Sequence, residues 1–159
     1  MKLQKKTAIF GILTLLWTAV IFSFSLQPAE ASASLSGGLL KHLLAWLHQF
    51  TGLQIPISFA HHLIRKTAHF LEFFLLGTLA DTTSRHLIQK WWPALCYGAI
   101  VAVTDEVIQH FTGSGRAMRV ADMLLDTVGV AVAILLWNTI VKIRTARKNK
   151  NTKTTKNPA

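Results

Sequence analysis

From Thr7 to Leu26 the chain runs for twenty residues without a charged side chain. At 1.5 Å per residue a helix of that length covers about 30 Å, the thickness of a bilayer's hydrocarbon core. Three further stretches, about 61–80, 91–111 and 120–141, are apolar over a similar length. Between the first two the pattern changes. Gln27 to Gly38, with Pro28 and many small residues, reads as a loop leading into a helix capped by Ser34 or Ser36. Over about 35–50, Leu39, Leu40, Leu43, Leu44, Trp46, Leu47 and Phe50 then share one side of that helix, with Lys41, His42, His48 and Gln49 mostly on the other. This segment is too short to span. It either lies in the membrane interface or packs its apolar face on the bundle. Thr51 to Phe59, with Gly52 and Pro56, is a connector.

The pattern predicts an all-α integral membrane protein: a bundle of four spans (7–26, 61–80, 91–111, 120–141) with an additional interfacial amphipathic helix on the outer side. Residues 1–141 form one membrane domain, and 142–159 are expected to form a basic, disordered cytoplasmic tail. Composition agrees, with 51% hydrophobic residues and a mean hydropathy of +0.38. The net charge of +10 does not point to nucleic acid, because seven of the seventeen basic residues lie in the last eighteen positions. Such a tail is expected to stay solvated, or to touch anionic lipid, and does not build a binding face. Ala31-Ser32-Ala33 resembles a signal-peptide cleavage site, but the preceding apolar run exceeds the usual h-region of about 7–15 residues, so a retained span is expected. Cys96 is the only cysteine and sits in an apolar run, where a thiol is a small hydrophobe. Placing the N- and C-termini inside groups twelve basic residues in the cytoplasm and leaves Lys41, Arg65, Lys66, Arg116 and Arg119 outside. Trp91, Trp92 and Trp137 fit an inner aromatic belt.

Acids inside such helices are costly, on the order of 3 kcal/mol each near the centre, and need partners, water or a task. On the second span Arg65, His69 and Glu72 are spaced four and three apart and share a face, with Lys66 beside them. The third carries Asp105 and Gln109 on one face and Glu106 on the next, and the fourth carries Asp122, Asp126 and Gly129. Counted from the outer ends, Glu72, Asp105 and Asp126 all lie roughly 10 Å deep. The connector Thr112 to Arg119 hangs Arg116 and Arg119 above them. The cytoplasmic half shows no comparable set. Asp122, near the start of its span, equally reads as a helix cap, and Gly77, Gly98 and Gly129 read as close-packing points. His61, His62, His86 and His110 read as interfacial residues without chemistry.

Ser25-Leu26-Gln27, the run Arg65 to Phe73 (R-K-x-A-H-F-x-E-F), Asp105 to Phe111 (D-E-x-x-Q-x-F), Gly115-Arg116, and Asp122, Asp126 and Gly129 (D-x-x-x-D-x-x-G) follow one another in order. Together they resemble the VanZ-like family of bacterial membrane proteins. The resemblance implies a four-span protein of the bacterial cytoplasmic membrane and cell envelope. It also implies a link to low-level resistance to the glycopeptide antibiotic teicoplanin. It implies no settled biochemical activity. Two departures stand out: Asp126 replaces an Asn found in many relatives, and the first loop is long.

The leading reading is recognition. A pocket formed by Arg65, Lys66, His69, Glu72, Asp105, Glu106, Gln109, Arg116, Arg119, Asp122 and Asp126 would hold a phosphate-bearing lipid head group or cell-wall precursor by charge-assisted hydrogen bonds. An enzyme acting on such a group is the alternative, with Glu72, Asp105 or Glu106 as general base and His69 as acid. A proton-coupled transporter working through His69 is a third. No P-loop, dinucleotide fingerprint, nucleophile elbow or cysteine-rich metal spacing is present, and no cofactor is expected. His69, Glu72, Asp105 and Asp126 offer metal ligands, but five acids facing four bases leave only about one net negative charge, so no metal is expected.

Overall fold

The computed structural model describes residues 2–27, 42, 44–46, 48–50, 52, 55–112 and 118–156. Among them the chain is all helical. Four helices carry it: α1 (Lys2–Ser25), α2 (Ile57–Ile88), α3 (Trp92–Phe111) and α4 (Val120–Lys156). Two stretches, Lys5–Ser25 and Val120–Arg147, are long and apolar enough to cross a membrane. α2 and α3 form the middle of the bundle. α1 packs on both of them and so does α4, and among the described residues the α1 and α4 backbones do not approach each other closely.

Among the described residues three of the four buried acids, Asp81, Asp105 and Glu106, lie on the two central helices, while the two long apolar stretches lie on the flanking ones. Phe73, Leu76, Val101, Ala102, Val130 and Ile134 make the core, with Ile21 from α1. Buried beside them are Asp81, Asp105, Glu106, Gln109 and Asp126. The outer surface is instead studded with large apolar side chains, among them Leu15, Leu63, Leu71, Ile100, Leu124 and Leu135.

Small residues set how closely the helices meet. Val130 of α4 sits between Gly77 of α2 and Gly98 of α3: a methyl group on Gly77 would stand 2.8 Å from the Val130 Cα, and one on Gly98 2.6 Å from the Val130 Cγ2. One residue earlier, a methyl on Gly129 would lie 2.7 Å from the Phe70 carbonyl oxygen. All three glycines are the close-packing points expected from the sequence. α1 is tied on by polar contacts. Trp17 Nε1 donates to the Glu72 carbonyl at 2.9 Å, Thr18 and Tyr97 hydroxyls meet at 2.8 Å, and Thr14 and Thr83 hydroxyls at 3.2 Å.

Three sequence expectations need correction. α2 does not end with the apolar run at Ala80 but continues two turns further, to Ile88. Its polar residues fit a helix because Thr78, Thr82 and Thr83 each donate to a carbonyl four residues back. That extension builds a second buried ionic set at the end of the bundle where none was expected. Arg85 Nε donates to Asp81 at 2.6 Å and Arg85 Nη2 donates to Asn138 of α4 at 2.7 Å. Asp81 escaped the sequence reading because it falls just past the last apolar residue counted as span. The basic tail is also not irregular from Lys142. α4 runs through it to Lys156, with 142–147 exposed, as lysine and arginine favour helix once a turn is in place.

Of the segment about 35–50, the described residues 42, 44–46 and 48–50 are helical, while Ser34 and Ser36 lie outside the described residues. The Trp46 and Phe50 rings meet at a tilt, centroids 4.7 Å apart, and are 57% and 69% exposed. Leu44 is partly buried, and Leu39, Leu40, Leu43 and Leu47 of the same face lie outside the described residues.

A methyl group at Gly129 must push α4 off α2 backbone, whereas the nearest atom to one at Gly11 is a side-chain carbon 3.8 Å away. Gly129→Ala is expected to lose about 1–3 kcal/mol of stability, the usual cost of overpacking. Thermal melting in detergent checks this, with Gly11→Ala melting like the wild type.

Candidate functional site

Because Val130 locks α4 between α2 and α3, the residue one turn before it, Asp126, is brought to the level of His69 and Asp105. His69 Nδ1 lies 3.7 Å from Asp126 Oδ1 and 3.9 Å from Asp105 Oδ2. Both carboxylates are buried, and the imidazole is half-buried. Glu72, one turn after His69 on α2, interacts electrostatically with all three. Helices α2, α3 and α4 thus bring their inward-facing charged groups together, as the spacing within each helix predicts.

Asp105 is held by hydrogen bonds from two helices. Ser25 at the end of α1 donates its hydroxyl proton to Asp105 Oδ1, and Gln109 Nε2 donates to Asp105 Oδ2 at 2.7 Å. Gln109 then passes the connection outward, its Oε1 accepting from Arg65 Nη2 at 2.9 Å. A buried carboxylate with donors on both oxygens avoids most of the penalty of leaving water.

Nearer the mouth the remaining charges pair differently. Lys66 Nζ lies 3.1 Å from Asp122 Oδ1, both partly exposed, a pair of little energetic weight. Glu106, buried on α3, accepts the Arg119 backbone N–H at 2.7 Å. Arg119 caps α4, since its own carbonyl accepts from Asp122 N at 3.0 Å. Glu106 therefore places a carboxylate at the N-terminus of α4, where the helix dipole favours it. The capping role that the sequence offered to Asp122 falls to Glu106, because the Asp122 carboxylate faces Lys66 instead. The Arg119 guanidinium lines the mouth and makes no hydrogen bond or ion pair among the described residues.

These groups surround a cavity of about 330 Å³. Arg65, Lys66, His69, Glu106, Gln109, Arg119, Asp122 and Asp126 all line it, with Leu125 and His62. Of the expected binding residues, Asp105 and Glu72 do not line the cavity, and Arg116 is outside the described residues. Ser25 was not among the expected site residues. The signal that could have found it is its place in the Ser25-Leu26-Gln27 pattern at the end of the first span. His62, expected to be merely interfacial, borders the cavity. His86 packs on Phe10 at 6.1 Å, and His110 meets Phe111 edge-on at 5.3 Å, both away from the cavity.

With the geometry in place, the comparison with known families is decisive on one point: the chain matches the VanZ/LLP1 family over residues 10–142. The chain belongs to that family. The match runs from α1 into α4 and so takes in every helix that contributes to the site. No curated protein and no solved structure is significantly similar to it. In this VanZ/LLP1 protein the residues that carried the resemblance are those that meet in space: Ser25, His69, Asp105, Gln109 and Asp126 form one connected inner group.

Removing the Ser25 hydroxyl leaves a buried carboxylate oxygen short of its donor. Ser25→Ala is expected to cost about 1–3 kcal/mol. Denaturation in detergent checks this against Ser23→Ala, whose hydroxyl is exposed and bonds only to the Ala19 carbonyl, and which is expected within about 0.5 kcal/mol of wild type.

Proposed function

We propose that this VanZ/LLP1 member is a four-span protein of the bacterial cytoplasmic membrane, with both termini inside, and that its cavity opens outward to bind a phosphate-bearing lipid head group or cell-wall precursor. An apolar exterior around a polar interior suits a chain whose solvent is lipid. On this reading the charged α2 and α3 cross inside a sheath made partly by α1 and α4. Residues 1–141 are the membrane domain, with the helical segment near 42–50 resting in the outer interface. The basic stretch from Lys142 lies at the inner surface, where it meets anionic lipid.

The observation that carries the binding reading is the cavity mouth. Arg119 is exposed there with its guanidinium unengaged among the described residues, and Arg65 and Lys66 stand beside it. Planar guanidinium groups bind phosphate oxygens in pairs, each charge-assisted bond contributing about 1.5–3 kcal/mol. The acids below hold these bases in place: Asp105 reaches Arg65 through Gln109, Asp122 pairs with Lys66, and Glu106 fixes the Arg119 backbone. This bears on the enzyme alternative. Asp105 has donors on both oxygens and Glu106 on one, so both are placed as positioning acceptors more than as bases waiting for a proton. By sequestering or shielding such a surface component the protein would lower susceptibility to teicoplanin, the role the family resemblance implies.

Two measurements test this. Purified protein in detergent is expected to bind short-chain phosphatidic acid but not the matching uncharged diacylglycerol, and Arg119→Gln is expected to weaken the former at least tenfold. Equal binding of both lipids would contradict the reading. A sensitive bacterium expressing the wild type is expected to grow at higher teicoplanin than one expressing Asp105→Asn at equal membrane abundance. No protection by the wild type would remove the resistance role.

A further inference from the structure

The charge balance taken over the whole polar set, five acids against four bases, hides a division that the structure makes plain. Of the bases, Lys66 pairs with Asp122, Arg65 is engaged by Gln109, and Arg119 stands at the mouth. Arg116 lies outside the described residues, and none of the other three reaches the two innermost carboxylates. Asp105 and Asp126 are 0% and 2% exposed, and among the described residues their only basic neighbour is the imidazole of His69. Asp126 Oδ1 is fully buried and accepts no hydrogen bond among the described residues. It points toward His69 Nδ1, but at 3.7 Å it is beyond hydrogen-bonding length.

From this we infer that His69, Asp105 and Asp126 form a binding site for a divalent first-row transition-metal ion of the Mn²⁺ or Zn²⁺ type. One donor atom from each residue lies within 4.8 Å of the other two. Ligands held at about 2.1 Å around a tetrahedral ion stand about 3.4 Å apart, so small side-chain rotations close the set. One imidazole nitrogen with two carboxylate oxygens is a mixed donor set, suiting Mn²⁺, Fe²⁺ or Zn²⁺ better than the all-oxygen coordination that Mg²⁺ and Ca²⁺ prefer. Asp105 is already oriented as a ligand should be. Ser25 and Gln109 hold its two oxygens from outside the set, as outer hydrogen-bond partners hold metal-binding carboxylates. His69 and Asp126 both line the cavity, so the ion's remaining positions face it. The ion supplies the positive charge that two buried acids lack, and it satisfies the orphaned Asp126 oxygen. This assignment stands on the inner groups alone and does not depend on what binds at the mouth.

The test uses untagged full-length protein in detergent, stripped with a chelator and titrated with Mn²⁺, the free ion being followed by its electron paramagnetic resonance signal. A parallel Zn²⁺ titration is read by calorimetry. One ion per chain is expected, with thermal melting raised on loading. Asp126→Asn and His69→Ala are expected to bind at least tenfold more weakly. Melting of the unloaded variants shows whether each is folded. Should either fail to fold, Ser25→Ala, which removes one of the two donors orienting Asp105 and leaves the three ligands in place, is expected to weaken binding about tenfold to a hundredfold. Less than a tenth of an equivalent bound by the wild type overturns the assignment. So does undiminished binding by the folded variants, which would place the ion on other histidines.

Discussion

The seating of Val130 between Gly77 and Gly98 is the contact on which the rest of this structure depends. With no side chain on either glycine, α4 approaches α2 and α3 together, and Gly129 lets the Phe70 carbonyl come within reach of α4 backbone. That approach fixes both the height and the rotation of α4. Asp126, one turn earlier, is thereby aimed at His69 and Asp105, and Asn138, two turns later, at Arg85. One packing contact thus sets the geometry of polar groups on either side of it.

Buried polar groups in such a bundle raise the stakes of that packing. Asp105 can be buried because Ser25 and Gln109 donate to it, and Glu106 because the backbone N–H of Arg119, the residue that caps α4, does. Each bond joins two helices or two turns, so a shift of any helix would strand a desolvated oxygen at a cost of about 1–3 kcal/mol or more. Specific helix pairing and a charged cavity are consequences of the same arrangement. Asp126 is the one member of the inner set with a buried oxygen that accepts no hydrogen bond among the described residues.

Much of this was legible from residue spacing. Arg65, His69 and Glu72 on one face, Asp105 and Gln109 on another, and Asp126 on a third can converge only if the helices pack with those faces inward, and they do. The family resemblance rested on the same positions and was borne out over residues 10–142. What spacing could not show was partnership. Glu106 and Asp122 are adjacent in character, yet one caps α4 and the other meets Lys66, a choice made by tertiary geometry. Nor could a count of charges reveal that the bases gather at the mouth while two acids remain inside. The Asp81–Arg85–Asn138 set was missed because hydropathy ended the second helix at Ala80, whereas threonines bonding to their own helix and an ion pair one turn apart carry it to Ile88.

The account's central claim is that the polar cavity opens to the outer side of the membrane, and it is tested most directly by thiol accessibility. Cys96, the only native thiol, is first replaced by alanine, and Arg119→Cys at the cavity mouth and Lys90→Cys at the far end of α2 are made singly in that background. Intact cells are then treated with a membrane-impermeant maleimide. Labelling of Arg119→Cys in intact cells, with Lys90→Cys labelled only after lysis, is the predicted result; the reverse pattern, or equal labelling of both before lysis, would contradict an outward-facing site.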